Sequence, residues 1–507
     1  MILSQWLKTY FRDAHEQPDT VSFQKFNTIA QDENWTGILI LRMKIASLPD
    51  NLAGVAAGVT SPNQFNAHHF AIEISQVKNE TGQQPDLKET SSMFGLIYYV
   101  DPAFTPPAKG KIAVPVPPTA GALYDFRLLS LKVLFENSAV KDFQSYAQIT
   151  LNSFFGMSVT KMGDGGNPYN TIVLAGSYQT NNGKPIYSLG STSHNTFYFG
   201  SNIIQKIQID LGQMSTRNSG TKTAPPTVIS WFGLSGFIDF EVVSQGEEGT
   251  DKILFDVFSF GNEPHQDELR KGLRFSNLGL MMSYPKDEPE RRELNFDSSE
   301  IRFDLATSTP RSGSLFLDFA LELQGMTGGT SETTPAKGGY LQVITDARLT
   351  GVDGGPWFGL RYRLNMGSPG ELAGKVSLTS YLLTAWAPDS NAGGPYKALV
   401  GIELPGTGGG AKLISLQTVL KLSIGQLRLT RVPTAGGDKR AFLLMFTDIA
   451  LRILGILKVP PSGSTLFYLF GNPEDAGKPS GLGWYARYCK DNFCENQDSL
   501  VALDEKR

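Results

Sequence analysis

The sequence predicts an all-β fold: a large, elongated, mainly antiparallel sheet or sandwich system with a few short helices. Three observations carry that expectation. Apolar and polar residues alternate with period two in several segments, the pattern of a strand with one buried and one wet face. The chain is rich in glycine (53) and proline (29), and turn-forming words such as Asp-Gly-Gly lie between those segments. Strong helical periodicity is scarce.

Four segments show the alternation best. Leu315, Leu317, Phe319, Leu321 and Leu323 alternate with Asp318 and Glu322. Leu341, Val343, Thr345, Ala347 and Leu349 alternate with Gln342, Asp346 and Arg348. Phe358, Leu360, Tyr362 and Leu364 alternate with Arg361 and Arg363, and Ile207, Ile209 and Leu211 with Gln208 and Asp210. Charged wet faces favour antiparallel sheets, because parallel strands are usually buried on both sides. Further strands are expected at 36–45, 69–77, 94–100, 124–136, 148–161, 171–177, 230–243, 252–260, 375–384, 399–404 and 412–424. The apolar run 441–457 reads as a long buried strand rather than a core helix, since it contains Gly455 and lacks clear caps. Short helices are expected at 4–15 and 262–271.

The longer polar connections are 102–121, 212–227, 325–339 and 388–395. None has the length or bias of an interdomain linker. The expected organisation is an N-terminal helical or linker segment at 1–22, a continuous β-rich region at 23–488 with a sub-boundary within 212–227, and a polar tail at 489–507. An aromatic-x-Phe-Gly word recurs at 197–200, 258–261 and 468–471, at unequal spacings. That excludes a regular solenoid and fits similar strand exits, where Gly accepts φ > 0.

The charge balance excludes several functions. With 45 basic and 49 acidic residues the net charge is −4, so no nucleic-acid partner is expected. The most apolar stretch, 441–459, is interrupted by Asp448, Arg452 and Lys458, so no transmembrane insertion is expected. The first residues lack an apolar h-region, so no classical signal peptide is read there. Two cysteines, Cys489 and Cys494, cannot make a disulfide framework, although they could close a small local loop.

The motifs favour structural readings. His68 and His69 are adjacent and would face opposite sides of a strand, a poor chelating pair. His15, His194 and His265 are isolated. Gly406-Thr-Gly-Gly-Gly-Ala fits a dinucleotide loop superficially, but the alternating segment after it offers no helix N-terminus for phosphate. Asp164-Gly-Gly-Asn and Asp353-Gly-Gly supply too few oxygen ligands for a calcium loop and read as turns. Asn34-Trp-Thr and Asn79-Glu-Thr match the glycosylation acceptor, a triplet that also arises by chance. Trp357, Trp386 and Trp484 sit beside Gly or Pro near strand ends and are read as core rather than as a sugar platform. No nucleophile elbow or zinc-protease helix is present. Accordingly no catalytic, cofactor-binding or metal residues are named, and no cofactor is expected.

Several phrases taken together carry a resemblance. They are the runs that begin at Phe26, Leu52, Phe65 and Ser91, and near the other end Phe446-Thr-Asp-Ile-Ala-Leu-Arg-Ile-Leu-Gly, Tyr468-Leu-Phe-Gly-Asn-Pro and Leu482-Gly-Trp-Tyr-Ala. This set resembles β-rich segments of very large bacterial proteins of unknown function, over about residues 23–488. The resemblance attaches no activity. It implies a piece of a larger secreted or surface-associated assembly. The expected function is therefore a non-enzymatic structural or binding β-scaffold, with protein partners or self-association. The alternatives are a β-sheet carrier of a hydrophobic or lipid ligand and a carbohydrate-binding or carbohydrate-active protein.

Overall fold

The computed structural model describes residues 37–45, 55, 57–60, 66–73, 77–78, 86–87, 93–108, 111–136, 139–161, 169–181, 184–200, 203–218, 227–241, 258, 260–261, 272–285, 288–311, 314, 319, 321–344, 349–367, 378–388, 396–404, 413–417, 420–423, 426–433, 440–453, 456–459, 464–471 and 482–490. Among them the fold is all-β, and every pair of strands is antiparallel. The expected helices at 4–15 and 262–271 lie outside the described residues, as does most of the strand expected at 252–260.

The first strands are β1 (Gly37–Lys44), β2 (Asn66–Glu73), the small hairpin β3 (Val77–Lys78) and β4 (Asp86–Leu87), β5 (Met93–Val100), β6 (Tyr124–Glu136) and β7 (Ala139–Leu151). A second hairpin, β8 (Ser153–Phe154) and β9 (Met157–Lys161), precedes β10 (Thr171–Asn181), β11 (Lys184–Phe199) and β12 (Ile204–Asn218). Then come β13 (Thr227–Phe240), β14 (Leu273–Pro285), β15 (Glu293–Asp297) and β16 (Arg302–Phe303). They form one 14-stranded sheet in the order β1-β2-β5-β6-β7-β10-β11-β12-β13-β14-β15, with β3 and β4 apart from it. The order is a meander, which short hairpin connections produce naturally.

A five-stranded sheet follows, built from β17 (Glu322–Gly329), β18 (Leu341–Gln342), β19 (Trp357–Gly367), β20 (Leu378–Trp386) and β21 (Ala398–Glu403) in the order β17-β19-β20-β21-β18. A seven-stranded sheet comprises β22 (Leu413–Gln417), β23 (Leu420–Ser423), β24 (Gln426–Pro433), β25 (Arg440–Ile453), β26 (Leu457–Val459), β27 (Ser464–Gly471) and β28 (Gly483–Lys490). Residues of all three sheets share one buried core.

The large sheet curls. Four strands lie between β6 and β13 in the sheet order, yet the rings of Phe126 on β6 and Phe232 on β13 meet at 4.8 Å. At the end of the meander, Phe296 on β15 stacks on Tyr124 of β6, 6.4 Å between centroids at 13°. The end strand β15 therefore returns to β6 and side chains close the seam. Strands β1, β2 and β5 continue the sheet beyond that seam.

The second and third sheets join this curl through aromatic contacts. At the tip of the β8–β9 hairpin, Phe155 meets Phe296, Phe358 and Trp386 at 5.2, 5.3 and 6.0 Å. Trp386, fully buried, also meets Phe240 at 5.6 Å and Phe258 at 6.2 Å. Phe470 of β27 reaches Phe319 at 6.4 Å, and the Leu429 amide donates to Val343 O at 2.8 Å.

Several sequence expectations are corrected in detail. The strand expected at 315–323 is displaced: β17 begins at Glu322, and Phe319 and Leu321 are buried before it. The strand expected at 341–349 is only two residues long; Val343 and Leu349 are buried as the alternation implied, and Ile344, of the opposite phase, is buried too. The segment 148–161 is three strands, broken by the tight turn at Phe155-Gly156, and 412–424 is the hairpin β22–β23. Leu211 is 37% exposed rather than buried with Ile207 and Ile209, because a bulge between Ile209 and Leu211 reverses the phase. Segment 212–227 joins two strands paired through Asn218↔Val228 in one sheet, and β28 runs through Cys489 to Lys490. Of the run 441–457 read as one strand, residues 441–453 lie in β25, whereas Leu457 begins the separate strand β26.

Candidate functional site

The two ends of the large sheet differ in kind. At one end lies β1, eight residues long with the sequence Gly-Ile-Leu-Ile-Leu-Arg-Met-Lys. Among the described residues it has one hydrogen-bonded neighbour, β2, in a register that runs from Gly37↔Glu73 to Lys44↔Asn66. In an antiparallel strand alternate residues direct both peptide groups to the same side, so about half of the backbone groups of β1 face away from β2. Ile38 is 52% exposed, and Arg42 and Lys44 are exposed on the same face. Charges thus guard only the C-terminal end of this edge.

At the other end β15 is five residues long, Glu-Leu-Asn-Phe-Asp, and it is seated against β6. Arg292, just before it, donates from Nη2 to Asp125 Oδ1 at 3.2 Å and from Nη1 to the Ala57 carbonyl at 2.7 Å. Asp125 also accepts from Thr119 Oγ1 at 2.7 Å. Gly58 O accepts from the Leu128 amide at 2.8 Å, and a Cβ on Gly58 would fall 2.6 Å from that nitrogen. Only glycine allows this approach. Ala57 and Gly58 thus sit in the seam between β6 and β15.

A second ion pair anchors the same region. Asp101 is fully buried at the end of β5 and receives Arg127 bidentately, Nε to Oδ2 at 2.7 Å and Nη2 to Oδ1 at 2.8 Å. Thr60 Oγ1 and the Ala103 amide complete its shell at 2.7 and 2.9 Å. Burial alone would raise this carboxyl, but the hydrogen bonds from Arg127, Ala103 and Thr60 outweigh it and hold it below the usual carboxylate range. Val116 exchanges both backbone bonds with the side-chain amide of Gln148, each 2.9 Å, which pins the 102–121 connection onto the sheet. These groups are satisfied by one another and are structural.

The outer face of the five-stranded sheet carries a charged row. Glu322, Arg363, Tyr381 and Glu403 are directly opposite in register across β17, β19, β20 and β21. Arg361 lies 3.8 Å over the Tyr381 ring and reaches Glu403 at 3.4 Å. Both carboxylates are engaged by arginines.

The sequence motifs that fall on described residues lie on separate elements. His68 and His69 lie together on β2, and His194 lies on β11. His15, His265, Cys494, the Gly406 loop, Asp164, Asn34 and Asn79 lie outside the described residues. Asp353 is exposed in a turn completed by Gly354 at φ +97°. Trp357 and Trp386 are buried, Trp357 donating to Thr333 O at 2.8 Å, while half-buried Trp484 packs on Phe446 and Phe470. Among the described residues no three His, Cys, Asp or Glu side chains gather as a metal-ligand set. An apolar cavity between the second and third sheets, lined by Phe319, Leu321, Leu364, Leu382, Ile402, Leu429 and Leu444, measures about 10 Å³. That is room for one water-sized sphere, not an acyl chain. No helix among the described residues is long and apolar enough to cross a membrane.

Comparison with family models, curated proteins and solved structures finds no match. The edge of β1 left unpaired among the described residues is the candidate site, and what it can do is hydrogen-bond another strand.

Proposed function

We propose that this chain is a non-enzymatic β-scaffold that joins a larger assembly by accepting a partner's strand at the edge of β1. The observation that supports this is the asymmetry of the large sheet. One end is short, acidic and latched to β6, while the other presents an eight-residue, largely apolar strand. Native sheets commonly blunt both ends, and an edge left long and apolar is a template for strand addition. The resemblance to segments of very large bacterial proteins supports a bacterial assembly as the setting. The test is light scattering with negative-stain microscopy on the full chain across a concentration series, together with affinity capture. Defined oligomers, or a stoichiometric protein partner whose capture changes when Ile38 is replaced by a charged residue, are the expected result. A strict monomer that captures no protein would sink the proposal.

A further inference from the structure

We infer that the strand added to β1 is β1 of a second copy, paired antiparallel about a two-fold axis through Ile40 or Leu41. This rests on the assembly reading above and specifies its partner.

The seam supplies the first step. A head-to-tail assembly would seat β1 of one copy on β15 of the next and would propagate as a filament. But β15 is already held against β6 by Arg292 on Asp125 and by the Tyr124–Phe296 stack. Of the two ends of the large sheet, β1 is the one left open among the described residues, and two copies of it pairing with each other give a closed, isologous contact.

Parity supplies the second step. Outward-facing peptide groups in β1 belong to residues of one parity, so in a pairing of identical antiparallel strands the two facing residue numbers sum to an even number. The axis therefore passes through a residue. An axis through Arg42 would set two guanidinium groups directly opposite, a destabilising pair. An axis through Leu39 uses only residues 37–41 of the strand. Axes through Ile40 and Leu41 use 37–43 and 38–44, and every cation within each paired stretch lies opposite an apolar residue. Parallel in-register stacking would instead oppose Arg42 to Arg42 and Lys44 to Lys44.

Both registers make a distinctive demand on one side chain. Ile38 faces Arg42 of the other copy in the first and Lys44 in the second, so the aliphatic stem of a cation covers its exposed surface. Ile38→Glu should then tighten the dimer and Ile38→Lys should loosen it. Opposed pairs of this kind contribute about 0.2–1 kcal/mol, and the two-fold axis makes two of them. The dissociation constant should move roughly two- to thirtyfold in opposite directions for the two variants.

Sedimentation of the full chain and of both variants is the test. Ile38 is half exposed, so neither charge should impair folding, and circular dichroism checks that. A parallel measurement places single cysteines at Ile40 and Leu41 in a Cys489→Ser, Cys494→Ser background. The residue on the axis should cross-link to its twin on mild oxidation. Opposite shifts with a cross-link at 40 or 41 support the pairing. If Glu and Lys weaken association alike, or neither cysteine cross-links while oligomers persist, the two-fold pairing fails and the assembly reading stands. A wild-type monomer at every concentration overturns the pairing, and one that also captures no partner overturns both.

Discussion

Arg292 Nη2 sits 3.2 Å from Asp125 Oδ1, joining the threshold of β15 to the start of β6 across 167 residues of sequence. No hydrogen-bonded ladder joins those two strands among the described residues, so this contact and the Tyr124–Phe296 stack hold the curl shut. The pair is mostly buried, with side-chain exposures of 18% and 9%. Replacing Arg292 by alanine should therefore cost on the order of 1.5–3 kcal/mol, as for a hydrogen bond to a charged group. The loss should be local first: amide exchange should quicken at 124–128 and 293–297 before the rest of the sheet responds. Unchanged protection there would show that packing alone closes the seam.

Asp101 predicts acid sensitivity. Its folded pKa lies below the ordinary 3.8, so the folded state favours the carboxylate. A depressed carboxyl contributes stability that is fully present above the unfolded value and is lost as pH falls through the folded one. The stabilising contribution should therefore begin to fall as pH drops below about 3.8 and be lost once pH is under the folded value. Asp101→Asn, which leaves Arg127 facing a neutral amide, should destabilise the protein at neutral pH by about 3–5 kcal/mol, as when a buried pair is broken. The penalty relative to wild type should shrink as pH falls below 3.8, readable from denaturation midpoints at pH 7 and pH 3. A penalty that stays constant over that range would contradict the assignment.

The fold class was legible because alternation survives wherever the strand is regular. In β19, Leu360, Tyr362, Leu364 and Met366 are buried and Arg363 is exposed, as the pattern requires. It failed where the backbone shifts phase. Strand β14 escaped notice because Leu273 and Phe275 are out of step with Leu278, Leu280 and Met282, and Asn277, at φ +58°, lies at the irregularity that reverses them. Bulges of this kind leave no period to read. The seam was illegible for a different reason. Asp101, Asp125, Arg127 and Arg292 carry no local motif, and they meet only because the sheet curls. The exposure of β1 likewise depends on strand order, which alternation does not encode.

The β8–β9 turn should respond to two substitutions for different reasons. Phe155 and Gly156 have φ of +51° and +73°, the left-handed pair of a type I′ hairpin. Asn is the usual first residue there, so phenylalanine accepts backbone strain in return for its contacts with Phe296, Phe358 and Trp386. Phe155→Ala should cost about 3–5 kcal/mol, the range for a large buried ring. Gly156→Ala should cost about 1–2 kcal/mol from the left-handed backbone alone. Pro388 Cγ, 3.0 Å from the added Cβ, would increase that cost. Phe155→Asn separates the terms: if turn geometry dominated, it would be stabilising, whereas the packing argument requires a lower denaturation midpoint.

Tyr284 sets the alkaline limit of the large sheet. Burial at the end of β14 raises its phenol from 10.0 to about 12. The unfolded chain would release that proton at lower pH than the folded protein, so between about pH 10 and pH 12 the unfolded state binds fewer protons. Stability must then fall with rising pH over that window. Tyr284→Phe keeps the ring in the core and removes the ionisation. Its denaturation midpoint should match wild type near pH 8 to within the loss of one hydroxyl, and should decline less steeply above pH 10. In a spectrophotometric titration the variant should lack one late-ionising phenol. If both proteins lose stability in parallel from pH 10 to pH 12, the alkaline transition originates elsewhere and Tyr284 titrates only after the sheet has opened.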